Sequence, residues 1–70
     1  MNVRFVVVAD GISIACFRNW DFAYSLFMDV TESYGRDPED PNVLVNPFGF
    51  LWASSSFDDP DCHVIELLIK

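Results

Sequence analysis

The sequence predicts an α+β domain of order β-β-α-β-β, with one amphipathic helix packed on a four-stranded antiparallel or mixed sheet. Three observations carry this reading. Asp10-Gly11 joins two runs rich in β-branched and aromatic residues. Residues 19–34 repeat apolar side chains at helical spacing. Two more strand-like runs follow a polar, Pro-rich connector. Seventy residues make one domain, residues 1–70.

The first element is a hairpin. VRFVVVA (3–9) and ISIACF (12–17) flank Asp-Gly, a pair that accepts positive φ at both turn positions. A two-residue turn pairs Ala9 with Ile12, Val7 with Ile14 and Phe5 with Cys16. Cys16 then lies on the core face with Val3. Arg4, Val6, Val8, Ser13, Ala15 and Phe17 lie on the other. Both faces are largely apolar, whereas a sheet with one wet face alternates cleanly.

The helix reads NWDFAYSLFMDVTESY (19–34). Asn19 suits the N-cap, and Asp21 sits in the first turn near the positive end of the helix dipole. Gly35 suits the position after the last turn, with Pro38 soon beyond. At about 100° per residue, Trp20, Phe22, Ala23, Leu26, Phe27, Val30 and Tyr34 form one stripe. Asp21, Ser25, Asp29 and Glu32 gather opposite. Tyr24 and Met28 fall outside the stripe, beside the acids.

RDPEDPN (36–42) is the connector. VLV and FGFLWA then read as one strand, broken or bulged near Pro47-Phe48-Gly49. Proline donates nothing to a ladder, so this strand lies at an edge or bends there. SSSFDDPD is a loop, and HVIELLI (63–69) is the last strand. One helix covers one face of such a sheet. The second face, with Val6, Val8 and Phe17, calls for a sister chain, a partner protein or a ligand.

A chain this short buries only about 60% of its unfolded surface and is marginal alone. Disulfides, a metal or assembly are the usual remedies. Residues are 51% hydrophobic and 16% aromatic, which argues against disorder. Cys16 and Cys62 are too few for a disulfide-dense secreted scaffold. No signal peptide is visible, and no run approaches the ~20 apolar residues that cross a bilayer. The expectation is a cytoplasmic protein with reduced thiols, read as a complete small gene product with no membrane partner.

FDDPDCH (57–63) concentrates the residue types of metal and catalytic sites. Its spacing fits neither a zinc site nor an EF-hand loop. Asp-Pro clusters are ordinary turn chemistry. Cys62 and His63, as adjacent strand residues, point to opposite faces and do not form a dyad. Three scattered glycines make no phosphate loop. These readings predict no enzyme activity, no cofactor and no metal, with a small metal-binding protein using the 58–63 loop as a remote alternative.

Charge is the remaining signal. Eleven carboxylates oppose four cations, a formal −7. Direct nucleic-acid binding needs Lys and Arg against phosphate. Arg4, Arg18, Arg36 and Lys70 are dispersed along the chain. The carboxylates form three groups: Asp21, Asp29 and Glu32 on the helix, Asp37, Glu39 and Asp40 in the connector, and Asp58, Asp59 and Asp61 in the last loop. Together, beside Tyr24 and Met28, they suit a protein partner with a basic surface. The expected function is inhibition of a nucleic-acid-handling enzyme by occluding its basic groove. Small acidic phage-encoded antagonists of CRISPR effectors, restriction enzymes, uracil-DNA glycosylase or RNA polymerase are similar in size and charge, though in no motif. The alternative is a self-associating structural or accessory subunit, a homodimer through Val6, Val8 and Phe17.

Overall fold

Two β-branched runs around Asp10-Gly11 give strands β1 (Phe5–Ala9) and β2 (Ile12–Phe17). Both turn residues have positive φ, 50° and 83°, as the Asp-Gly signal requires. Helix α1 (Trp20–Ser33) follows, then β3 (Leu44–Asn46), β4 (Gly49–Ala53) and β5 (Val64–Ile69). The computed structural model describes residues 3–40 and 43–70. The last two connector residues, Pro41 and Asn42, lie outside them. The strands form one sheet in the order β2-β1-β5-β4-β3, antiparallel at every pairing. The helix packs on one face of it.

The sheet has five strands, one more than expected. VLV and GFLWA do not make a single broken strand. Pro47 and Phe48 form a turn, and β3 folds back on β4 with Leu44 opposite Leu51 and Asn46 opposite Gly49. Gly49 makes this tight return feasible. Its φ is +141°, and a Cβ there would run into the Leu67 carbonyl. Only glycine tolerates both constraints. Beside the Pro47 turn, β3 lies at the sheet edge, where a residue without an N–H costs least.

The hairpin register also differs. Ala9 faces Ile12 and Val8 faces Ser13, but Val7 then pairs with Ala15, Val6 with Cys16 and Phe5 with Phe17. A bulge between Val7 and Val8 leaves Ile14 as the extra residue. Beyond a bulge, every side chain changes face. Cys16, expected in the core, is exposed. Phe17, expected on the second face, packs against the core. The bulge exchanges a small thiol for a phenyl ring on the buried side, which buries more apolar area.

The core is Val7, Ala9, Ala23, Phe27, Trp52, Ile65 and Leu67. Trp20 sits between Phe5 and Phe50, each ring centroid 5.3 Å away. This wedge sets the rotation of the helix. Ala23, Phe27 and Thr31 become its buried line. Met28, expected outside the stripe, packs against the core. Tyr24 stacks on Trp20 at 5.8 Å. Phe22, expected inside, is 66% exposed. Thr31 is tolerated at 0% exposure because its hydroxyl donates to the Met28 carbonyl at 2.7 Å.

Both helix ends are closed locally. The Asn19 side chain accepts from the amides of Asp21 (2.8 Å) and Phe22 (3.3 Å). At the other end the amides of Gly35 and Arg36 donate to the carbonyls of Glu32 and Thr31, each at 3.0 Å. With Gly35 at φ 105°, this is the double-bonded helix stop that favours glycine.

Candidate protein-docking surface

The three acidic groups are placed by different local devices. On α1, Asp21 and Asp29 are exposed and Glu32 is half-buried. All three lie on the side turned away from the sheet, as the helical spacing predicted.

The connector is held by a residue that the sequence reading counted only as charge. Arg36 is 4% exposed. Its Nε donates to the Thr31 hydroxyl at 2.8 Å. Its NH1 donates to the carbonyls of Asp37 and Asp40, each at 3.2 Å. Its NH2 lies 3.6 Å from the Met28 sulfur. A planar guanidinium has enough donors to bind a helix and a loop at once. It thereby keeps Asp37, Glu39 and Asp40 against the Met28–Thr31 flank of α1. That flank adjoins Asp21 and Glu32.

The last loop closes on itself. Asp59 accepts from the Asp61 amide at 2.9 Å and from the Ser55 hydroxyl at 3.0 Å. These two bonds, the amide first, hold the Asp59 carboxyl below its ordinary pKa against a small opposing effect of burial. His63 lies under the C-terminal end of α1, its ring centroid 4.8 Å from that of Tyr34. Asp58, Asp59 and Asp61 therefore sit at the opposite end of the helix from Asp21.

Asp10 is the carboxylate that the sequence reading missed. One oxygen meets His63 Nδ1 at 2.8 Å and the other accepts the Val64 amide at 2.9 Å. The His63 bond first, and the Val64 amide second, hold its carboxyl below the ordinary value of 3.8. Cys62 turns elsewhere, its sulfur 3.4 Å from the Ser55 carbonyl. Cys62 and His63 thus engage different partners. Among the described residues, no three His, Cys, Asp or Glu side chains gather as a metal site. No cavity opens among them either.

The cations, expected to be dispersed, are not. Arg36 is inside. Arg4 and Lys70 exchange backbone bonds of 2.8 Å in both directions, which continues the β1–β5 pairing by one residue. Arg18 follows Phe17, whose partner is Phe5. Strand alternation puts Arg4 and Lys70 at one end of the sheet face opposite α1, and Arg18 lies at that same end in the bend just past β2. All three are exposed. Separation along the chain hid this because antiparallel pairing joins distant residues. Val6 and Val8 share that face, but Phe17 does not.

No helix among the described residues is long and apolar enough to cross a membrane. The chain matches no protein-family model, no curated protein and no solved structure.

Proposed function

We propose that this chain is a non-enzymatic binding protein whose helix side docks in the basic groove of a nucleic-acid-handling enzyme and keeps nucleic acid out by occupying it. One observation carries the reading. The helix carboxylates face away from the sheet and Arg36 ties the connector beside them, while the exposed cations Arg4 and Lys70 lie on the opposite sheet face. The molecule is therefore far more anionic toward one side than its net −7 indicates. Such a field steers a basic partner and orients the encounter. Tyr24, 38% exposed and braced by Trp20, supplies an aromatic anchor beside Asp21. Met28 acts from beneath, packed on the core and holding Arg36. In this reading Asp21, Asp29 and Glu32 make the central contacts, and the connector and last-loop carboxylates extend them.

Displacement of labelled duplex from purified candidate enzymes tests the proposal. The panel is a CRISPR effector, a restriction endonuclease, uracil-DNA glycosylase and RNA polymerase. The chain should displace duplex from at least one of them. Its affinity should fall by about tenfold or more between 50 and 300 mM salt, as charge-driven association does. Asp29→Asn with Glu32→Gln should weaken it about tenfold, which is about 1.4 kcal/mol. Displacement that ignores salt and these substitutions rules the reading out, as does failure across the panel.

A further inference from the structure

The sheet face turned away from α1 has no cover among the described residues. The register defines its rows. Leu44, Leu51, Glu66, Val8 and Ser13 lie side by side across the strands. Leu68, Val6 and Cys16 make the next row, and Ala53 with Val64 another. Leu44 and Cys16 are exposed, Val6, Leu51, Val64 and Leu68 are half-buried, and Val8 is buried at 7% exposure. An apolar face of this extent is the usual inner layer of a two-layer architecture.

Charge along the strands is ordered as well. Lys70, Arg4 and Arg18 mark one end of this face. Glu66 lies between Leu51 and Val8 in the middle rows, and past that row come Asp10 and the loop carrying Asp58, Asp59 and Asp61. The face is thus positive at one end and negative at the other, with a mainly apolar middle that includes Glu66. A two-fold axis perpendicular to the strands sets the positive end of one copy against the negative end of the other. An isologous contact needs this self-complementarity.

We propose that a second copy of this chain covers the open face, sheet on sheet, with strands antiparallel across the two-fold axis. Val6, Leu51 and Leu68 form the apolar centre, beside Val8, which the single chain already buries. Arg4, Arg18 and Lys70 of each copy meet the Asp10 and last-loop end of the other. Five strands and four rows span about 24 by 20 Å, or roughly 500 Å² per copy. A standard stable interface buries about 800 Å² per partner. The dimer is therefore weak, with a dissociation constant on the order of micromolar or above. It leaves Asp21, Asp29 and Glu32 of both copies pointing outward, with the last-loop carboxylates at its edge.

Sedimentation velocity over about 5 μM to 1 mM reads the association directly. The wild-type mass should rise from one chain toward two. Leu68→Lys should weaken the dimer at least tenfold while keeping the wild-type circular dichroism. Arg4→Glu with Arg18→Glu should also remain monomeric, and so should Asp58→Lys with Asp61→Lys. An equimolar mixture of those two variants should dimerise again, because each end then meets its opposite. Three results overturn the proposal: a monomer throughout the range for wild type, a dimer that survives Leu68→Lys, or charge variants that fail to reassociate. A dimer lost in Val45→Lys but kept in Leu68→Lys places the contact at the β3 edge instead, which also overturns it.

Discussion

Asp10 does two jobs at one position. Its backbone accepts the positive φ of the hairpin turn, and its carboxylate clasps the start of β5 through His63 and Val64. The clasp fastens the hairpin tip to the sheet centre. Because the folded pKa lies below the ordinary 3.8, the ionised form is favoured by folding. Its contribution is fully present above that ordinary value and is lost as pH falls through the folded one. Asp10→Asn keeps the shape without the charge. Urea midpoints at pH 7 should be lower in the variant than in the wild type, and the gap should narrow below about pH 4. A gap that is constant with pH removes the charge from the account. The sequence disclosed only the turn half of this residue, since the turn is settled within four positions. The clasp spans 53 positions, and no local pattern encodes it. Ile14 is parallel: nothing in ISIACF marks the residue that bulges, yet it decides whether Cys16 or Phe17 is buried.

At the scale of elements, the helix was legible and its rotation was not. Asn19, Asp21 and Gly35 act on their own neighbours, so the ends of α1 followed from the residues. Rotation depends on what the helix meets. Trp20 between Phe5 and Phe50 turns the stripe toward Tyr24 and Met28 and leaves Phe22 outside. Hydropathy also discounts Thr31, which is buried because its hydroxyl has partners on both sides. Arg36 depends on the same geometry. It caps Thr31 and pins the connector, which brings acids 37–40 beside the helix. Arg36→Met keeps the stem and removes the donors, so the Thr31 hydroxyl keeps only its bond to the Met28 carbonyl and the Asp37 and Asp40 carbonyls lose the guanidinium. The loss of stability should be about 1–3 kcal/mol. Arg36→Lys should recover less than half of it, because one ammonium cannot reproduce the fork. Chemical denaturation measures both. A loss under about 0.5 kcal/mol for Arg36→Met means that water replaces the guanidinium at no cost. Strand number failed for a related reason. Pro47-Phe48-Gly49 was correctly marked as an interruption, but a kink and a reversal leave the same local trace until Gly49 is seen against Leu67.

For the whole molecule, the placement of charge runs against stability. Carboxylates gather on the helix and connector, while the exposed cations Arg4 and Lys70 lie across the sheet from α1. Glu32 lies in the last turn of α1, the negative end of the dipole, where cations are favoured, and no basic residue occupies that turn. Asp29 is three positions before it, a like-charge spacing that destabilises helices. A fold optimised for stability alone gains by removing these charges, and sites that keep such costs are commonly those that function requires. Asp29→Asn, Glu32→Gln, Glu39→Gln and Asp58→Asn together should therefore stabilise the chain. At a few tenths of a kcal/mol each, the sum is about 1 kcal/mol, or roughly 4–8 °C in Tm for a domain of this size. The gain should appear at low ionic strength and nearly vanish at 1 M salt, where screening acts within about 3 Å. The same variant should displace duplex less well from a basic enzyme. Greater stability with weaker displacement ties the misplaced charge to binding. An unchanged Tm at low salt means that the carboxylates are merely solvated and that the fold pays nothing to hold them on one side.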